Sequence, residues 1–168
     1  FSTSFDLSFD SGEDLIPSLF RGFSAPVSYD IDLKAEDWAV LARHEDDAYA
    51  RWEASQTLYR DAINQSKEPT QALACDLYKD FLKQDFSTGW VSQCLMLPTF
   101  EDIAKSRELR DPQAIYKAIR HFRETLSQTC ETDLEYRYHS LKGSQTPYHF
   151  SPDEAATRRI KNLCLDHL

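Results

Sequence analysis

The strongest constraint on this chain is a single long stripe of apolar residues. Ile115, Ile119, Phe122, Leu126, Cys130 and Leu134 recur every three or four positions, the spacing that puts side chains on one face of an α-helix. Asp111-Pro112 stands immediately before them: a carboxylate able to cap free N–H groups, then a proline in the first turn, where it gives up no hydrogen bond. The pattern predicts one helix from Pro112 to about Leu141, some 30 residues or ~45 Å long. Such a stripe is stable only if it is covered, so the rest of the chain has to supply the cover.

The rest of the chain reads as further helices. Trp38, Val40 and Leu41 form the apolar side of a short helix over Glu36 to Arg43, broken by His44-Glu45-Asp46-Asp47. An Asp at that break can cap a second helix running to about Asn64, with Ala48, Trp52, Ser55, Tyr59 and Ala62 on its inner face. Pro69 opens a third helix with Leu73, Leu77 and Phe81 inward. Phe86 to Gly89 is a break, and Trp90 to Leu97 is a short helix stopped by Pro98. Thr99 caps a turn through Ala104, and Lys105 to Arg110 is a polar, exposed run. Lys142-Gly143-Ser144 ends the long helix and a loop with Pro147 follows. Ser151-Pro152-Asp153-Glu154 starts the last helix, whose inner face is Ala156, Ile160, Leu163, Cys164 and His167.

The start is different. Phe1, Phe5, Leu7 and Phe9 alternate with Ser and Asp, the period of a half-buried strand. Leu15, Ile16, Leu19 and Phe20 read as a second strand, made irregular by Pro17. Ser18 to Val27 is the joint, expected to be extended because Pro26 pushes Ala25 out of the helical region. The expected fold is therefore mainly α: an antiparallel α-helical stack, solenoid-like or superhelical, of about six or seven helices, preceded by a short β-strand pair. Residues 1–27 and 28–168 form its two units. The chain has no initiating Met and its last helix stops while still apolar, so a longer parent is expected.

Composition narrows the function. Hydrophobic residues make up 41% and aromatics 12%, enough for a packed core. A net charge of −9 disfavours nucleic-acid phosphates and anionic membranes as partners, and no apolar run approaches the roughly 20 residues of a membrane-spanning helix. Cys75, Cys94, Cys130 and Cys164 are widely spaced in helical contexts and read as small buried hydrophobes in a reducing compartment, the cytoplasm. None of His44, His121, His139, His149 and His167 lies in H-E-x-x-H, and His44-Glu45-Asp46-Asp47 reads as a solvated helix-helix corner. Tyr136-Arg137-Tyr138-His139 has the residue types of an RNA-stacking surface, but Glu131, Asp133 and Glu135 surround it. With four glycines and no G-x-S-x-G, neither a phosphate-cradling loop nor a serine elbow is present. Taken alone, the residues describe a helical scaffold.

Four segments in order resemble the bacterial-type aminopeptidase N family, gluzincin zinc metalloaminopeptidases. Phe20-Arg21-Gly22-Phe23-Ser24-Ala25-Pro26-Val27 is similar to that family's joint. Arg51-Trp52-Glu53-Ala54-Ser55-Gln56-Thr57-Leu58 resembles its R-W-[DE]-A-x-Q-x-L segment. Leu97-Pro98-Thr99, then Asp111-Pro112-Gln113-Ala114-Ile115, resembles L-P-S … D-P-x-A-I. Arg158-Arg159-Ile160-Lys161-Asn162-Leu163-Cys164-Leu165 resembles R-x-L-[KR]-N-x-[CA]-L. The resemblance implies that residues 1–27 end a small β-sandwich domain and that 28–168 begin a C-terminal helical domain. It implies a parent that removes N-terminal residues from peptides, with zinc and the catalytic residues in another domain. It carries no catalytic, metal-binding or substrate-binding residue onto this chain. The segment's implied partners are the rest of the parent enzyme and, through it, peptides; its implied role is to shape a chamber and peptide access. The alternative is a stand-alone helical-repeat module that binds a protein partner.

Overall fold

The computed structural model describes residues 15–23, 29, 31–84, 89–141 and 151–168. Seven α-helices appear among them: α1 (Ala35–His44), α2 (Ala48–Gln65), α3 (Glu68–Lys83), α4 (Trp90–Cys94), α5 (Phe100–Lys105), α6 (Pro112–Ser140) and α7 (Pro152–His167).

Most boundaries are set by local chemistry that the sequence announces. Asp47 accepts the N–H of Ala50 at 2.8 Å and starts α2. Thr99 and Asp102 form a reciprocal capping box on α5, with Thr99 N–H to Asp102 Oδ2 at 3.0 Å. Asp111 Oδ1 accepts from Gln113 at 2.9 Å and Ala114 at 3.4 Å and starts α6. Ser151 accepts the Glu154 N–H and starts α7. The 29 residues of α6 form the long helix expected from its stripe. By contrast, α4 stops at Cys94, three residues short of the expected Leu97. Pro98 excludes Leu97 from the helical region, and the preceding turn tightens, with Met96 N–H bonded to Gln93 O at 3.1 Å.

The helices pack as an antiparallel stack. α1 lies on α2 and α3, α2 on α3, and α6 on α3 and α7, while α6 also meets α2 and α5. The short α4 is set against α2 and reaches α7. The centre is an aromatic seam. Tyr59 of α2 lies 6.2 Å from Tyr78 of α3 and 6.4 Å from Phe122 of α6, ring centre to ring centre, and all three are fully buried. Leu58, Ile63, Leu77, Phe81, Leu126, Leu134 and Ile160 close around them. Side chains of this size each contribute about 1.5–3 kcal/mol on full burial, so this seam holds the stack together. All four cysteines are buried and unbridged within it.

The N-terminal expectations fare differently. The strand expected over Phe1 to Phe9 lies outside the described residues. Leu15 to Leu19 carries no regular secondary structure, and no strand occurs among the described residues. From Phe20 to Phe23 the joint is not extended: Arg21–Phe23 is a tight 3-10 turn, with Phe20 (φ 52) and Gly22 (φ 65) both left-handed. The reason is tertiary, and it lies in the α1–α2 corner. Ser24 to Val27, the break over Phe86 to Thr88, and Lys142 to Phe150 with His149 lie outside the described residues.

Candidate functional site: a corner that holds the joint

Glu45, Asp46 and Asp47 link α1 to α2. The fold turns all three toward Ser18–Gly22. Glu45 Oε1 accepts the backbone N–H groups of Asp46 at 2.9 Å and Asp47 at 3.1 Å, and stands 3.1 Å from the Arg21 guanidinium. Arg21 also pairs with Asp46. The Gly22 N–H donates to Asp47 Oδ2 at 2.9 Å, while Asp47 Oδ1 caps α2. The Glu45 side chain is only 8% exposed, so this corner is a socket rather than the solvated turn expected from the sequence; His44 and Asp46 are exposed as expected. The Ser18 hydroxyl beside it holds the Glu45 carboxyl below its ordinary value, with the Asp47 amide and Arg21 acting the same way against the cost of burial. The Gly22 amide that donates to Asp47 belongs to the left-handed turn. No atom lies within 4 Å of where a Cβ on Gly22 would sit, so glycine is required there by its backbone angles and not by space. Beneath the socket, Pro17, Leu19, Ile31, Trp38, Leu41 and Tyr49 line a cavity of about 20 Å³.

A second junction gathers around α4. The Arg51 guanidinium lies 4.2 Å from the centre of the Trp90 ring and donates to Ala42 O at 3.3 Å and Gln84 Oε1 at 3.5 Å, so one side chain from α2 ties α1, α3 and α4. Gln56 donates to Met96 O at 2.9 Å, and Arg159 of α7 donates to Ser92 Oγ at 3.4 Å. Residues from two of the segments singled out in the sequence, Arg51 and Gln56 of one and Arg159 of another, therefore meet at or beside one short helix.

Among the described residues no group of three or more His, Cys, Asp or Glu side chains is placed to hold a metal. His121 and His139 are exposed. His167 is buried against Tyr78, ring centres 5.7 Å apart; burial pushes it down to about 4, with Arg123 adding to that and Asp166 opposing it. It is therefore neutral near pH 7. The possible stacking run is occupied internally: Arg137 donates to Gln84 O at 2.8 Å, and Lys161 covers the Tyr138 ring at 4.6 Å, leaving Tyr136 exposed. Two open grooves flank α7. One, about 590 Å³, is lined by Tyr116, Ile119, Arg123, Asp166 and His167; the other, about 530 Å³, by Met96, Arg158, Arg159, Asn162 and Leu163. No described helix is long and apolar enough to cross a membrane.

Residues 35–168 match the model of a family described as a domain of unknown function (DUF3458_C) with ARM repeats. The chain belongs to the DUF3458_C family. The match begins at Ala35, the first residue of α1. Relatives of this DUF3458_C chain include aminopeptidase N of Caulobacter vibrioides, 32% identical over 164 residues, covering 93% of this chain and 19% of the relative. Aminopeptidase N of Escherichia coli is 26% identical over 164 residues and that of Haemophilus influenzae 27% over 166, each covering 91% of this chain and 18% of the relative. The chain thus spans less than a fifth of the length of the curated relatives it matches. The crystal structure of Legionella pneumophila aminopeptidase A in complex with aspartic acid contains the same fold, with a TM-score of 0.76 at 23% identity over 90% of this chain and 19% of that one.

The corner was the part that sequence reasoning missed. Glu45 and Arg21 are 24 positions apart, and nothing local signals that they meet. The one available clue was that a joint carrying an arginine precedes a run of three acids.

Proposed function

We propose that this chain is a C-terminal segment of a zinc aminopeptidase that removes N-terminal amino acids from peptides, and that the segment supplies shape and access while the metal chemistry belongs to another domain. The observation that carries this reading is the match to three proteins named aminopeptidase N over nearly the whole length of the chain. In this reading residues 1–27 close a small β-sandwich domain and residues 28–168 open the helical domain. The socket at Glu45 then fixes the angle between the two units. Peptides and the rest of the parent enzyme are the partners, and nucleic acid and membrane are not. Four unbridged buried cysteines support a reducing, cytoplasmic setting. The segment's own described residues hold no metal group, so zinc would be bound outside them.

The test uses the full-length parent and the 168-residue chain side by side on an amino-acid anilide. The parent is expected to turn over substrate, to lose activity to a chelator and to regain it with zinc. The isolated chain is expected to show none. An inactive parent would leave the stand-alone interaction module as the better reading; an active isolated chain would overturn both.

A further inference from the structure

We infer that the groove between the turn after α4 and α7 seats the carboxylate end of a peptide, with Arg159 taking the carboxylate and Met96 and Leu163 taking the last side chain. The inference rests on the reading of the chain as part of a peptide-trimming parent, and it adds which end of the peptide this segment meets. The groove holds about 530 Å³, the size of clefts that hold small ligands. Its chemistry is the opposite of the chain's average. The chain carries a net charge of −9, so most of its surface repels a carboxylate. Here Arg158 and Arg159 stand side by side on α7, both exposed. The acid in the lining, Asp166, is paired with Arg123, and Arg158 is paired with Glu154 at 3.6 Å.

Arg159 differs from both neighbours. Among the described residues no carboxylate lies within ion-pair distance of it, and its contact is a hydrogen bond to Ser92 Oγ at 3.4 Å. Ser92 is buried and is itself fixed, its hydroxyl donating to Gly89 O at 2.6 Å. One N–H of the guanidinium is thus anchored on α4, and the rest of its five-donor fork, whose shape matches a carboxylate, stays available. An anchored fork gives up less freedom on binding than a loose one. Beside it lie exposed Met96, a side chain that adapts to what it meets, and half-buried Leu163. The exposed Asn162 carboxamide offers a donor and an acceptor to a peptide backbone. A cation next to an apolar surface matches the end of a peptide, where a carboxylate stands next to the last side chain. Every substrate trimmed from its amino end carries that carboxylate, free for a different domain to hold.

The experiment has two arms. In the first, the chain is isotope-labelled on its amides and on the methyl of its single methionine, then titrated with a short peptide ending in leucine and followed by NMR. The Met96 methyl and the Asn162 carboxamide should shift together and saturate, with a Kd on the order of 1 mM. The same peptide as its C-terminal amide should bind about fivefold more weakly, and Arg159→Gln should lose about as much for the free acid. Arg159→Lys should recover part of the loss, and a peptide ending in glycine should bind less well than one ending in leucine. An amidated peptide with an internal glutamate should bind no better than the plain amide. Equal binding of acid and amide, preference for the internal glutamate, shifts confined to other surfaces, or no saturable shift would each overturn the inference. In the second arm, Arg159→Gln in the parent should raise KM about fivefold for peptides with a free carboxylate, with kcat unchanged and no effect on an amino-acid anilide, which has no carboxylate. An active parent whose KM does not move overturns the inference and leaves the proposed function standing. A parent inactive on the anilide removes the proposed function, while the titration still decides the groove.

Discussion

The aromatic seam and the α1–α2 corner hold the molecule by opposite means. Tyr59, Tyr78 and Phe122 are fully buried and bring three helices together by removing apolar surface from water. Glu45 is almost as well enclosed, yet its contacts are charged or polar: Arg21, two backbone amides and the Ser18 hydroxyl nearby. The seam's stability is therefore insensitive to salt and spread over many side chains. The corner's is directional, titratable and concentrated in one carboxylate. An element held by the first kind of force melts with the whole protein; one held by the second can open on its own.

Phe122→Ala offers the largest break. Emptying that site is expected to cost about 3–5 kcal/mol, seen as a lower denaturation midpoint with every helix lost together. Should the N-terminal joint survive past the helices, the seam does not govern the fold.

Acid separates the seam's edge from the corner. His167 is depressed to about 4 in the fold from 6.5, so the folded state binds fewer protons. Its contribution is whole above about pH 6.5 and is lost as pH falls toward 4, on the order of 2 kcal/mol by pH 5. The Glu45 carboxyl is also depressed from its ordinary 4.5, and its contribution starts to fall only at a lower pH, near that unfolded value. Stability measured against pH should therefore fall in two arms. His167→Gln should flatten the arm between pH 6.5 and 5, leaving the more acidic arm to Glu45. A single arm unaffected by His167→Gln would remove the distinction.

Glu45→Gln should cost about 1–2 kcal/mol, since Arg21 stays half in water and retains Asp46. Its diagnostic effect is local: hydrogen exchange at the Gly22 amide should speed up while amides of α3 and α6 stay protected. Gly22→Ala should cost about 1 kcal/mol, from the left-handed backbone alone. It should accelerate the same amide. At the small end, Arg120→Ala removes an exposed pair with Glu124 and should leave the melting curve unchanged.

The seam was largely legible in the sequence and the corner was not, for a physical reason. The stripe of α6 and the caps at Asp47, Thr99, Asp111 and Ser151 act within four residues, so composition and spacing reveal them. The end of α4 was overrun because three apolar residues before Pro98 fit a helix and a tightened turn equally well. Arg51 stood out as part of a motif, but its three-way role depends on Trp90, Ala42 and Gln84 arriving from three other directions. The socket at Glu45 exists only once distant segments have met, and an acidic corner looks like a solvated turn until then.

The reach of α6 has one more consequence. It touches α2, α3, α5 and α7, and it is joined to α5 only by an exposed polar run. Cleaving the backbone between Glu108 and Arg110 would leave two pieces that share nearly all of their mutual surface along one rod. Expressed separately, they should find each other and reassemble, because covalent continuity at that point adds little to an interface already written along the helix.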